Sequence, residues 1–194
     1  MQRSSRILMV IAAVLLLGGF IAPLWRIELH APQYPEGLGL RIWVNQITGA
    51  KPNDLNSING LNHYIGMRPI TPDDIPELEI MPWILAGLAA SALIVALARK
   101  RSLLYGWVVL YLIGAAAGLG DFYKWGYEYG HDLDPHAAIQ VPGMSYQPPV
   151  LGRKQLLNFH ASSWPDLGGI AAIGAMGLGV AAVAVERRRR KLAA

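Results

Sequence analysis

The chain has 194 residues, of which 53% are hydrophobic and only 15% charged, with a net charge of +4 and no cysteine. That balance is too apolar for an ordinary soluble domain. The missing thiol excludes disulfides, thiolate zinc sites, iron–sulfur clusters, covalent haem through Cys-x-x-Cys-His and a thiol nucleophile.

Residues Met1–Arg6 carry Arg3 and Arg6 ahead of a first apolar run, Ile7–Trp25. The run is longer than a secretory h-region, and the stretch Gly19–Trp25 offers no small-x-small cleavage site, so it reads as an uncleaved signal anchor. The long polar loop Arg26–Glu79 follows. Trp25-Arg26-Ile27-Glu28-Leu29-His30 alternates apolar and polar residues, as does Leu40–Ile47, and the two segments could pair as a short hairpin. Pro32, Pro35 and Gly37 are expected to break the chain between them. Asp54 is placed to cap a helix through Leu55–Ile65, although Gly60 and the asparagines 53, 56, 59 and 62 weaken it. Pro69, Pro72 and Pro76 then hold an extended approach to the second run, Ile80–Ala98.

The basic turn Arg99–Ser102 leads into a third run, Leu103–Gly120. The second polar loop, Asp121–Asp166, opens with Phe122, Tyr123, Trp125, Tyr127 and Tyr129, an aromatic belt that could prolong the third helix beyond a bilayer. Its Pro- and Gly-rich remainder predicts a fixed, irregular loop. The fourth run, Leu167–Val185, sets Ala171, Ala175 and Gly179 four residues apart, and the third holds Gly114–Gly118. Such faces suit close helix contact, within one bundle or onto another subunit. A basic tail, Glu186–Ala194, ends the sequence.

Each run is roughly the 20 residues a helix needs to cross the ~30 Å hydrocarbon core. The short segments hold ten basic residues against one acid; the rest of the chain holds seven basic residues and twelve acids. The positive-inside rule therefore places both termini in the cytoplasm and both long loops outside. The expected fold is an all-α membrane protein: four transmembrane helices with an extracytoplasmic cap of two loops containing short strands and a helix. It divides into 1–25, 26–79, 80–123, 124–166 and 167–194. The RRRRK tail reads as a stop-transfer anchor at anionic lipid, not as a nucleic-acid site.

All five histidines (His30, His63, His131, His136, His160) lie in the two loops. No histidine lies in a run to hold a buried haem, and no ionisable group lies deep in one to relay protons. Asp121 and Lys124, three apart at the outer edge, are expected to pair. No phosphate-binding glycine loop or Gly-x-Ser-x-Gly elbow is present, and no catalytic set converges, so the chain is not expected to be an enzyme. Imidazole and thioether donors suit copper. His63 and Met67 lie four apart on one helical face, and His131, His136 and Met144 follow in the second loop; these five are the candidate contacts for transient copper, with no other cofactor expected. Each has an ordinary alternative: a surface histidine or a packed methionine. His131, Asp132, Asp134 and His136 offer too few oxygens for a calcium loop, and turn chemistry before Pro135 explains the aspartates equally well.

Three stretches, Pro23–Pro35, Gly60–Met67 and Val141–Pro149, together resemble the NosB-type small membrane proteins of atypical (clade II) nitrous oxide reductase gene clusters. The resemblance covers both loops and the span count. It implies a multi-pass protein of the bacterial inner membrane that serves a periplasmic copper enzyme in denitrification, through maturation, copper loading or electron supply. It carries over no ligand residues. The alternative is a non-catalytic structural subunit of a larger membrane complex. Partners are then the bilayer and either the exported metalloenzyme or other membrane subunits.

Overall fold

The computed structural model describes residues 1–156 and 158–192, with side chains described to residue 188. The basic tail expected over Glu186–Ala194 therefore lies partly outside the described residues. Among the described residues four helices are long and apolar enough to cross a membrane: α1 (Arg3–Leu17, prolonged by a 3-10 turn at Gly18–Phe20), α3 (Pro76–Ala98), α4 (Arg101–His131) and α5 (Leu167–Leu192). A short helix, α2 (Asp54–Ile65), lies outside the bundle.

The all-α expectation is overturned. Helix accounts for 58% of the chain and strand for 17%, so the class is mixed α/β. Five strands, β1 (Trp25–Ala31), β2 (Tyr34–Ile42), β3 (Ile47–Gly49), β4 (Gly152–Leu156) and β5 (Phe159–Pro165), form one antiparallel sheet in the order β3-β2-β1-β5-β4. The hairpin of the first loop is present as β1 and β2, but β2 starts at Tyr34 and runs through Pro35 and Gly37. Proline is tolerated there because β3 pairs only with Leu40–Ile42 and leaves that stretch of β2 an edge. The second loop is not irregular throughout: its last third folds back as β4 and β5, and β5 pairs with β1 from Trp25↔Pro165 to His30↔His160. The sheet thus joins the two loops. At its far edge β4 exposes Arg153 and Lys154, charges that discourage strand-to-strand association.

Alternation along β1 decides which way the sheet faces. Ile27 is buried with Leu38, Leu40 and Ile58 of α2 in a small core, while Arg26 and His30 are exposed on the other side. Asp54 does not act as an N-cap. It is the first helical residue, and its carboxylate accepts the N–H groups of Gly39 (2.9 Å) and Lys51 (3.2 Å), tying α2 to β2. Asn59, among the residues expected to weaken α2, instead holds the returning chain by accepting from Ile70 N (2.7 Å) and donating to Ile70 O (3.1 Å).

In the bundle α1 is central. Met9, Ala12 and Leu16 are fully buried against α3 and α5. Polar side chains inside the apolar layer reach backbone carbonyls: Trp107 Nε1 donates to Leu88 O (3.1 Å) and Tyr111 OH to Ala172 O (2.8 Å). These bonds remove polar groups from a setting where they would be costly unpaired. The small face of α5 is used within the chain, Gly179 lying against Trp107 and Ala175 being buried. Gly114 and Gly118 of α4 face open space. Large apolar side chains such as Val14, Trp83, Ile94 and Ile113 are exposed around the outside, a surface suited to lipid.

Candidate functional site

The end of the bundle that carries the sheet also carries all five histidines, and backbone bonds bring the two loops together there. Helix α2 ends in a left-handed Gly66 (φ +80°), with Met67 N donating to Asn62 O (2.9 Å). Glycine is needed: a Cβ there would lie 2.9 Å from Asp134 O and 3.0 Å from Asp134 N. The second loop is laid across this helix end. Asp134 N donates to Gly66 O (2.8 Å) and Ile139 N to Tyr64 O (2.9 Å).

That junction sets Asp134 against one of the five candidate ligands, His136, and within the field of a second, His63. Its Oδ1 accepts from the backbone N of His136 (2.8 Å) and lies 3.3 Å from His136 Nδ1. Those hydrogen bonds from His136, with the fields of His136 and His63, hold the Asp134 carboxyl below the usual carboxylate range. His63, at the last turn of α2, and His136 are both exposed. The sequence offered Asp134 only as turn chemistry or part of a hard-cation set; its contact with the end of α2 follows from the docking on Gly66.

His131 lies at the end of α4, which continues eleven residues past Gly120 as a helix. Its ring stacks on Tyr127 (4.0 Å between centroids, 18° between planes), and Nδ1 lies 2.9 Å from Tyr127 O. An Nδ1–H bonded to that carbonyl leaves Nε2 as the free donor atom of the ring. The preceding aromatics are fixed in turn: Trp125 stacks on Tyr129 (4.6 Å), and Arg68 covers Tyr129 (5.2 Å) while pairing with Asp132 (3.8 Å). Met67 and Met144 are half-buried, Met67 in the cap of α2 and Met144 closing a turn through Met144 N to Val141 O (3.1 Å). The Asp121–Lys124 pair expected from spacing is replaced by Lys124–Glu128 (3.7 Å). Among the described residues no three of His, Asp and Glu converge to enclose a metal ion.

His30 and His160, not among the candidate ligands, face each other across β1 and β5. A bulge at His30 interrupts the β1–β2 register, and the His30 ring leans over Gly37, with Nε2 3.1 Å from where a Cβ would stand. The alternation of β1 was the available signal, but nothing in the sequence named β5 as its partner.

No family model matches the chain, and neither curated proteins nor solved structures give a match.

Proposed function

We propose that the chain is a multi-pass accessory protein of the bacterial inner membrane, with both termini in the cytoplasm and its sheet outside. It would support the maturation, copper loading or electron supply of a periplasmic metalloenzyme of the nitrous oxide reductase type. The observation that carries this reading is the junction of the two loops. The segments that resemble the NosB type lie in β1, the end of α2 and the 141–149 turn, all at the sheet end of the bundle. Copper is the cargo here, not a resident cofactor. Exposed imidazoles on His63, His131 and His136, with the thioethers of Met67 and Met144 nearby in the chain, offer soft and borderline donors without a closed cage. Open, incomplete ligation is what hand-over to another protein requires, since a saturated site would hold its metal.

The test is a copper titration of the purified protein beside the single variants His63→Ala, His131→Ala and His136→Ala. Weaker binding in at least one variant supports the reading; unchanged binding in all three removes these residues from it. In cells, deletion of the gene should lower the copper content of the exported enzyme.

A structural subunit is the second reading, favoured by the uncovered small patch of α4 at Gly114 and Gly118. Recovery of a stable membrane complex that keeps full function with copper-blind variants would select it.

A further inference from the structure

A second feature lies at the opposite, basic end of the bundle. Between α1 and α3 runs an apolar groove of about 280 Å³, walled by Ile7, Val10 and Ile11 of α1 and Leu97 of α3, with Arg3 and Arg6 at its mouth. Its wall residues are open to the surroundings: Ile7 is 50% exposed and Leu97 73%. The spacing of Arg3, Arg6, Ile7, Val10 and Ile11 places them along one stripe of α1. Arg6 lines the groove and is anchored, its Nε donating to Ala96 O (2.9 Å) near the end of α3, a bond that does not use its Nη groups. Among the described residues no carboxylate pairs with Arg3 or Arg6.

We propose that this groove binds one anionic phospholipid, its headgroup phosphate held by Arg3 and Arg6 and one acyl chain lying along Ile7, Val10, Ile11 and Leu97. Two unpaired cations above an apolar wall match a molecule that is anionic at one end and hydrocarbon at the other. From Arg3 to Ile11 the wall runs about 12 Å along the helix, close to the depth of one leaflet of hydrocarbon. Free phosphate would use the arginines and leave the walls idle; a partner helix would bring no charge to answer the arginines unless it carried acids at that level. The proposal rests on the four helices crossing a bilayer and is independent of copper.

The experiment uses the full chain, reconstituted in phosphatidylcholine vesicles and in vesicles containing phosphatidylglycerol, with flotation to establish membrane insertion. Native mass spectrometry of protein released from each then counts retained lipids. One phosphatidylglycerol per chain should be retained in preference to phosphatidylcholine. Arg3→Gln with Arg6→Gln should weaken retention roughly thirtyfold, each basic residue near a membrane surface supplying about a factor of five. Ile11→Trp, which keeps both arginines and fills the groove, should also displace the lipid, so the test survives if the double variant folds poorly. Equal retention of both lipids, retention unaffected by Ile11→Trp, or displacement by inorganic phosphate alone would overturn the proposal. Failure to float with either vesicle would instead strike the membrane reading beneath it.

Discussion

Ser163 shows how much one side chain can hold at the meeting of sheet and bundle. It is fully buried; its hydroxyl accepts from Trp25 Nε1 (2.7 Å) and donates to Val150 O (3.0 Å), linking β1, β5 and the loop before β4. Ser163→Ala takes that partner from a half-buried indole N–H and a half-buried carbonyl, and should cost about 1–2 kcal/mol in a denaturant titration followed by tryptophan fluorescence. Asp134 acts differently, because it is exposed and its effect depends on ionisation. Its folded carboxyl titrates below the unfolded one, so its contribution to holding the 134–136 turn is complete above the unfolded value, about pH 4, and is lost as the pH falls through the folded value. A carbon-detected NMR titration should place its midpoint below that of a free aspartate. Asp134→Asn should remove the acid-range change at the His136 backbone amide that accompanies titration of the carboxyl, and leave the sheet intact.

At the scale of elements, the joint between α2 and the second loop depends on Gly66. Gly66→Ala meets both a positive φ and the Asp134 backbone, and should destabilise this junction by about 1–3 kcal/mol, seen as faster amide exchange at Asp134 and Ile139. The same elements show where sequence reasoning reaches and where it stops. The four apolar helices and α2 are local features: hydropathy over about 20 residues and a run of helix-compatible residues between loops suffice to see them. The first hairpin is nearly local too, and its alternation was readable. The β1–β5 pairing is not, since it joins residues more than a hundred positions apart, and β5 (Phe-His-Ala-Ser-Ser-Trp-Pro) carries small and polar residues that read as loop. Sheet membership there is set by the partner strand and by burial against the helices, a tertiary effect that overrides local propensity. The candidate ligands suffered likewise. Their chemistry was visible in residue type, but that Asp134 and His136 are laid against the end of the helix that carries His63 follows only from the fold.

Across the whole molecule the two ends are held by different means: the sheet end by strands and backbone bonds, the basic end by one buried carboxylate. Glu186 is 1% exposed. It accepts from the backbone N of Gln2 and from Arg101 Nε (2.7 Å), so α5 is tied to the start of both α1 and α4. Ser5, also buried, adds a bond to Ala182 O (3.4 Å). In the sequence Glu186 was the one acid among ten basic residues, placed with the polar tail just past the fourth apolar run; the structure makes it the centre of that end. Removing one partner of a buried ion pair leaves the other without compensation, a loss of about 3–5 kcal/mol where both are fully buried. Arg101 is 42% exposed, so water can take over part of its charge and the lower end applies. Glu186→Ala should therefore lower stability by about 3 kcal/mol in a detergent-denaturation titration. Paired with Arg101→Gln in a double-mutant cycle, it should show a coupling of roughly 1–3 kcal/mol. Amide exchange separates this clamp from a general loosening: protection should fall at the start of α1 and in the last turns of α5, while β1 and β5 keep theirs. Loss of protection in the sheet would mean that the two ends unfold as one unit, and that the carboxylate stabilises the whole bundle.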